Sequence, residues 1–260
     1  MNPTIMQRKT LHNKLLAIVQ PDNSDQLNSV AEEQKFIYYH ESGFSFPIEP
    51  DTTPRLYQLC QRTKERLHVR KNVKFCIEDR AHITGFCAGG GNDDYPSVIG
   101  ISSGAVNKLS DSELRFLIGH ELGHLIMHSW WINFLYKSHF QDGKAPQDIA
   151  HLHHVFKLLS ELEADRYGYL ACNDLEAIVS YHYKEIGGID IQKYGVPTSL
   201  FLEANRCQAL LFMDGGWLGN THPANALRIE AIHAFATSTS VHELNTRMEP
   251  IIRSIFNCND

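Results

Sequence analysis

The spacing of apolar residues predicts helices at both ends of the chain and a small sheet between them. Helical spacing is found at 9–20 and 24–42, and a third helix is predicted from Pro54 to Leu67, where proline suits a first turn. Three short segments rich in β-branched and aromatic residues, bounded by turn-forming residues, predict strands at 72–79, 82–89 and 95–102. The glycine- and acid-rich stretch 89–94 is predicted to be a loop.

From Ser110 onward the periodicity is almost entirely helical. Ser110 and Glu113 have the spacing of a capping box, which predicts that a helix begins there. Later helices are predicted at 145–158, 159–184, 197–213, 223–237 and 240–256. The order of these elements predicts an α+β fold that is mostly helical, with a small β-sheet.

Composition narrows the functional classes. Of 260 residues, 43% are hydrophobic and 21% are charged, which excludes disordered and fibrous proteins. The net charge of −6 gives no basic excess, so no nucleic-acid partner is expected. The six cysteines are scattered and form no CxxC pair, as is typical of reduced thiols, and this predicts a cytoplasmic protein. No apolar run is long enough for a membrane span or a signal peptide, so a soluble chain is expected.

The candidate chemistry is concentrated in the sequence HELGH, which begins at His120 on the helix that follows Ser110. Residues four apart share a helix face, so His120 and His124 can present two imidazole nitrogens to one ion. Glu121 lies about 100° round the helix, beside the ion, where it could take a proton from a metal-bound water. Two histidines that are merely packed or solvated on a helix face are the alternative, since HExxH also arises by chance.

A third ligand is expected from the segment SELEAD, which begins at Ser160. Four residues of this region fall on one helix face: Glu161, Ala164, Asp165 and Gly168. This face can pack closely on the helix that carries HELGH, because Gly119 and Gly123 leave room for another backbone. The geometry favours Glu161 as the ligand over Glu163, which faces away, towards Arg166 or solvent. Asp165 would then accept a hydrogen bond from a ligand histidine and fix its tautomer, although a merely charged helix surface remains the alternative.

Together these segments resemble a known family. HELGH, then ELEAD followed by arginine and glycine, then Thr221-His222-Pro223 with Arg228 behind it, resemble the gluzincin metallopeptidases of the HtpX and CAAX-prenyl-protease type, peptidase family M48. The resemblance covers residues 72–235. It implies a zincin-like fold with the small sheet beside the active-site helix, and a strand, best matched by 96–102, that pairs with an extended substrate.

The resemblance also implies the site residues. One zinc ion per chain would be held by His120, His124 and Glu161, with Glu121 as general base and Asp165 orienting the first histidine. Taken alone, His222 indicates only a loop before a helix. The resemblance implies that it faces the zinc. There it would stabilise the oxyanion or, as in some members, cap the metal.

The sequence therefore predicts a zinc endopeptidase that acts on peptide or protein substrates. Residues 1–70 are expected to form a helical segment packed on a catalytic domain of residues 71–260. No transmembrane helices are seen, so prenyl-protein processing is not implied. One alternative is a latent zinc protein that acts through protein binding, its cleft capped by His222 or by the N-terminal segment. A second alternative is a helical interaction domain that binds no zinc and in which HExxH is incidental.

Overall fold

The computed structural model describes residues 3–20, 32, 35, 43, 45–88, 96–140, 144–215 and 222–257. The predicted helix at 24–42, except residues 32 and 35, and the predicted loop at 89–94 lie outside the described residues. The helices are α1 (Pro3–Val19), α2 (Pro54–Arg66), α3 (Ser103–Lys108), α4 (Asp111–Ile126), α5 (Ser129–His139), α6 (Gln147–Cys172), α7 (Leu175–Gly187), α8 (Thr198–Gly215), α9 (Asn225–Thr237) and α10 (Val241–Phe256), with a 3-10 turn at Ile191–Tyr194. The strands are β1 (Phe46–Pro47), β2 (Val73–Glu78), β3 (Gly85–Ala88) and β4 (Ser97–Ser102). A mostly helical chain with a small sheet is thus confirmed.

The four strands form one mixed sheet in the order β1-β2-β4-β3. β4 lies inside this sheet: Ile99 pairs with Phe75 of β2 on one side, in parallel, and with Cys87 of β3 on the other, antiparallel. The prediction that segment 96–102 pairs with substrate is therefore wrong, because both edges of that strand are already hydrogen-bonded. The sheet has β1 and β3 at its two edges, and β3 is the edge strand that packs against α4.

One predicted helix boundary is also wrong. Residues 147–172 form the single helix α6, which continues through Leu158 and Leu159 because both side chains are fully buried and no breaker interrupts them. The helix ends at Asn173, which has left-handed backbone angles (φ 54°). Asp174 then caps α7 by accepting a hydrogen bond from the amide of Ala177 at 3.0 Å.

α4 and α6 lie side by side between two hydrophobic clusters. The first cluster joins the sheet to α4 through Phe75, Ile99 and Phe116. The second joins α6 to the two terminal helices, with Leu15 of α1 and Ile251 of α10 packed in the same cluster as Phe156 and Leu159. The division into residues 1–70 and 71–260 stays a prediction. Within the described part of the chain, no helix combines the length and the apolar character needed to cross a membrane.

Candidate metal centre

The predicted capping box fixes where α4 begins. The Ser110 hydroxyl accepts from the Glu113 amide at 3.3 Å, and the Glu113 carboxylate accepts from the Ser110 amide at 2.7 Å. From this start, two turns of helix place His120, Glu121 and His124 on the part of α4 that faces the protein interior, with His120 and Glu121 buried. The local sequence therefore sets the position of the motif.

Gly119 and Gly123 let α4 approach α6 closely, as predicted. A Cβ atom on Gly119 would lie 2.5 Å from the Cβ of Ala171, and one on Gly123 would lie 2.9 Å from the Cβ of Tyr167 and 3.1 Å from the Cα of Ala164. Any side chain at these positions would push the two helices apart. We call this contact the α4–α6 seam; it brings the carboxylates of α6 to the histidines of α4.

The three predicted ligands converge at the seam. The Nε2 atoms of His120 and His124 are 3.1 Å apart, and the Glu161 carboxylate oxygens lie 3.4 Å from the first and 3.5 Å from the second. In a tetrahedral zinc site with bonds of about 2.0–2.1 Å, ligand atoms are separated by about 3.3 Å. Among the described residues, Oε2 of Glu161 is buried and has no hydrogen-bond donor. The donor set therefore fits a zinc ion, and these three residues form a group able to hold a metal.

The far ring nitrogens of both histidines are held by hydrogen bonds. Nδ1 of His120 donates to the Asp165 carboxylate at 2.8 Å, since an ionised carboxylate only accepts. Nδ1 of His124 lies 2.9 Å from the Ser129 hydroxyl, which itself donates to the backbone oxygen of His124 and so accepts from the ring. Both Nε2 atoms are thereby left to point at the same space. Asp165 was predicted in this role, whereas Ser129 was missed.

The electrostatics of the centre favour a positive charge on His120 but not on His124. Burial opposes ionisation of Glu161, but the neighbouring His124 and His120 hold the pKa of this carboxyl well below its usual range. Burial likewise disfavours a charged His120, yet the hydrogen bond to Asp165 and the nearby Glu161 carboxylate raise the pKa of His120 to about 10. Burial lowers the pKa of His124 to about 4. A proton or a metal ion on Nε2 of His120 would be stabilised by the same two carboxylates.

Glu121 lies between the centre and the edge strand β3. A Cβ atom added to Gly85 would lie only 2.8 Å from Oε1 of Glu121, so any larger residue there would displace the Glu121 side chain. Burial raises the pKa of Glu121 to about 7, which is close to the value that suits a general base at neutral pH. The sequence predicted the strand and the glutamate separately, but it gave no signal that they touch.

Asp165 is anchored by an arginine to which sequence reasoning assigned no role. Arg228 of α9 donates from Nε to Oδ2 of Asp165 at 2.8 Å and from Nη2 to Oδ1 at 2.6 Å. Both side chains are buried, and Arg228 also lies 3.9 Å from the Glu185 carboxylate. Although burial opposes it, the charge of Arg228 keeps the pKa of Asp165 well below its usual range. The only sequence signal for this role is the place of Arg228 behind His222 in the family pattern.

The two remaining residues lie at the edges of the site. Nε2 of His222 is 3.7 Å from Oε2 of Glu161, and its side chain is 57% exposed, so it stands at the mouth of the centre. Glu163 points away from the centre, as predicted, and lies 3.5 Å from Arg166. It is nevertheless buried, and its main partner is Arg8 of α1, which the sequence did not indicate.

Comparisons with known proteins support one family. Residues 50–141 match the model of peptidase family M48. This confirms the resemblance for the segment that contains α2, strands β2 to β4, and α4 with HELGH, whereas Glu161, Asp165 and His222 lie beyond the matched residues. No curated protein and no solved structure gives a significant match. The family match supports a metallopeptidase, and hence a peptide or protein substrate.

Proposed function

We propose that this chain is a zinc-dependent peptidase of zincin-like fold that holds one zinc ion between His120, His124 and Glu161. The observation that supports this most strongly is the convergence of two imidazole nitrogens and one carboxylate at mutual distances of 3.1–3.5 Å. The M48 match over the segment that includes both histidines supports peptide-bond hydrolysis as the reaction.

The roles of the surrounding residues follow from their positions. Zinc, when bound, would supply Lewis-acid chemistry, lowering the pKa of a coordinated water to about 7 and polarising the scissile carbonyl. Glu121 is the general base that takes the proton of the attacking water and later returns it to the leaving amine. Asp165 and Ser129 hold the two histidine rings in the tautomer that leaves Nε2 available. His222, at the mouth of the centre, donates a hydrogen bond to the oxyanion as it develops.

The edge strand β3 positions the substrate. Its outer edge is not paired within the sheet of the described residues, and its residue Gly85 lies against Glu121. An extended peptide that adds to this edge through main-chain hydrogen bonds would carry its scissile bond past the general base. β3 therefore replaces segment 96–102 as the substrate-binding strand of our proposal.

The proposed reaction is tested by incubating the purified protein with a peptide library. Zinc content is measured in parallel for the wild type, for Glu121→Gln and for a chelator-treated sample. We expect cleavage by the zinc-loaded wild type alone, and wild-type zinc content in Glu121→Gln, because the amide keeps the shape of the side chain but cannot act as a base. Cleavage by Glu121→Gln at the wild-type rate would disprove the role of Glu121.

The ligand assignment is tested with two buried glutamates of the same helix. Glu161→Gln should lose zinc, because an amide oxygen is a much poorer zinc ligand than a carboxylate. Glu163→Gln is the matched control: it breaks a buried ion pair with Arg8 and lowers stability, but it should keep zinc. Equal zinc content in the two folded variants would move the ligand role away from Glu161.

The latent, capped form is the second candidate, because His222 stands 3.7 Å from a ligand carboxylate and could occupy the substrate position. If His222 donates to the oxyanion, His222→Ala should lower kcat about 100-fold while zinc content is unchanged. If His222 caps the metal, the same substitution should raise activity above that of the wild type. Stoichiometric zinc without cleavage by either protein would favour a role in protein binding.

A further inference from the structure

A cavity opens beside His222, on the side of the site formed by the ends of α7, α8 and α9. Its volume is about 390 Å³, within the range of about 300–1,000 Å³ that is typical of ligand pockets. It lies outside the metal centre, with which it shares only His222. Its principal lining residues are Ile186, Gln208, Phe212, His222, Pro223 and Asn225.

The position of this cavity places it within reach of a bound peptide. His222 lines it and also approaches the ligand Glu161 to 3.7 Å. A peptide whose scissile bond lies at the metal centre would therefore pass the opening with a residue adjacent to that bond. The cavity is accordingly positioned to take one substrate side chain.

The lining is apolar or neutral. Ile186, Phe212 and Pro223 contribute hydrocarbon surface, while no Asp, Glu, Lys or Arg is among the described residues that form the walls. The amide of Asn225 donates to Glu185 at 3.3 Å; this carboxylate is not among the lining residues and is already faced by Arg228 at 3.9 Å. A charged side chain that entered would lose hydration without gaining an ionic partner.

The rim of the cavity is also apolar at Ile186. Ile186 is 65% exposed to solvent, so most of its aliphatic surface is open to contact. Contact with an apolar group of a substrate would remove this surface from water. Exposure of Ile186 also means that it can be replaced without disturbing the core.

We propose that this cavity selects substrates with a bulky, uncharged side chain, aromatic or aliphatic, next to the scissile bond. The inference rests on the proposed function, since it takes the substrate to be a peptide. Phe212 and Ile186 are the residues that determine the preference, through the area of apolar contact that they offer.

The test measures binding, so that it does not depend on turnover. Zinc-loaded Glu121→Gln protein is titrated with fluorescent peptides that differ at one position at a time, carrying Phe, Leu, Ala, Glu or Lys. We expect one position at which Phe and Leu bind at least about tenfold more tightly than Ala, Glu or Lys, as an apolar pocket discriminates. Introducing Ile186→Lys into this protein should shift the preference at that position towards Glu, and Ile186→Glu should shift it towards Lys.

Leu211→Lys is the matched control. Leu211 is 74% exposed, directly precedes Phe212 on α8 and is not part of the described lining, so its replacement should leave the ranking of peptides unchanged. The same ranking in the Ile186 variants as in their parent would overturn the proposal. If the Ile186 substitutions change the ranking but the wild type cleaves no peptide, the pocket proposal is supported and the proposed peptidase function is disproved. If the wild type cleaves peptides but the Ile186 substitutions leave the ranking unchanged, only the pocket proposal is disproved.

Discussion

Replacing Arg228 should destabilise the protein by removing the counter-charge of a fully buried carboxylate. Asp165 is 0% exposed, and two of the three hydrogen bonds that it makes with described residues come from the Arg228 guanidinium, at 2.6 and 2.8 Å. In Arg228→Met the hydrocarbon volume is largely kept, but Asp165 keeps only its hydrogen bond with His120. Glu185, 3.9 Å from the guanidinium, loses a cationic neighbour at the same time.

The size of the effect follows from the burial of the pair. Breaking a buried ion pair by removing one partner costs about 3–5 kcal/mol. A change of 1 kcal/mol shifts Tm by about 2–4 °C in a chain of roughly this size, so the Tm should fall by about 6–20 °C. Thermal unfolding followed by circular dichroism measures this, with the metal removed from both proteins so that zinc affinity does not contribute.

Two further variants make the result interpretable. Arg228→Lys keeps the charge but cannot form the paired hydrogen bonds, so its Tm should lie between those of Arg228→Met and the wild type. Arg247→Met removes a partly exposed arginine, 3.8 Å from Glu230, and should cost no more than about 1 kcal/mol. A Tm for Arg228→Met within 2 °C of that of Arg247→Met would refute the claim that the Asp165–Arg228 pair is needed to keep the carboxylate buried and ionised.

Two other substitutions separate catalysis from metal binding. Gly85→Ala should lower kcat by about 100-fold with zinc content unchanged, because its Cβ would lie 2.8 Å from Glu121 Oε1 and displace the general base; a wild-type kcat would show that this position of Glu121 is not the reactive one. Asp165→Asn should weaken zinc binding by about 10- to 100-fold, measured by competition with a chromogenic chelator, because the His120 ring loses its charged acceptor. Unchanged affinity would leave Asp165 with a purely structural role.

The features that the sequence predicted correctly depend on residues close together in the chain. The capping box at Ser110 spans only four residues, and the shared face of His120 and His124 needs one helical turn. The seam was also predictable, because two glycines four apart on a buried helix indicate close approach by another element. In such local patterns, helix geometry alone fixes the relative positions of the residues.

The features that the sequence did not predict depend on contacts between distant segments. Arg228 reaches Asp165 across 63 positions, and Arg8 reaches Glu163 across 155. Arginines occur on many protein surfaces, so neither residue stood out before its partner was known. The prediction of the substrate-binding strand failed for the same reason: the residue types within 95–102 predict a strand, but only the pairing of β4 with both β2 and β3 shows that it cannot receive a substrate.

The close contact between α4 and α6 also restricts how the length of the chain can vary. Inserting one residue into a helix turns everything beyond it by about 100°. An insertion in α4 between Gly119 and His124, or in α6 between Glu161 and Ala171, would turn part of the ligand set away while the other helix stayed in place. Natural insertions and deletions should therefore be excluded from these two helices and confined to the connections between elements. The spacing within each helix is consequently as strong a constraint as the identity of the ligands.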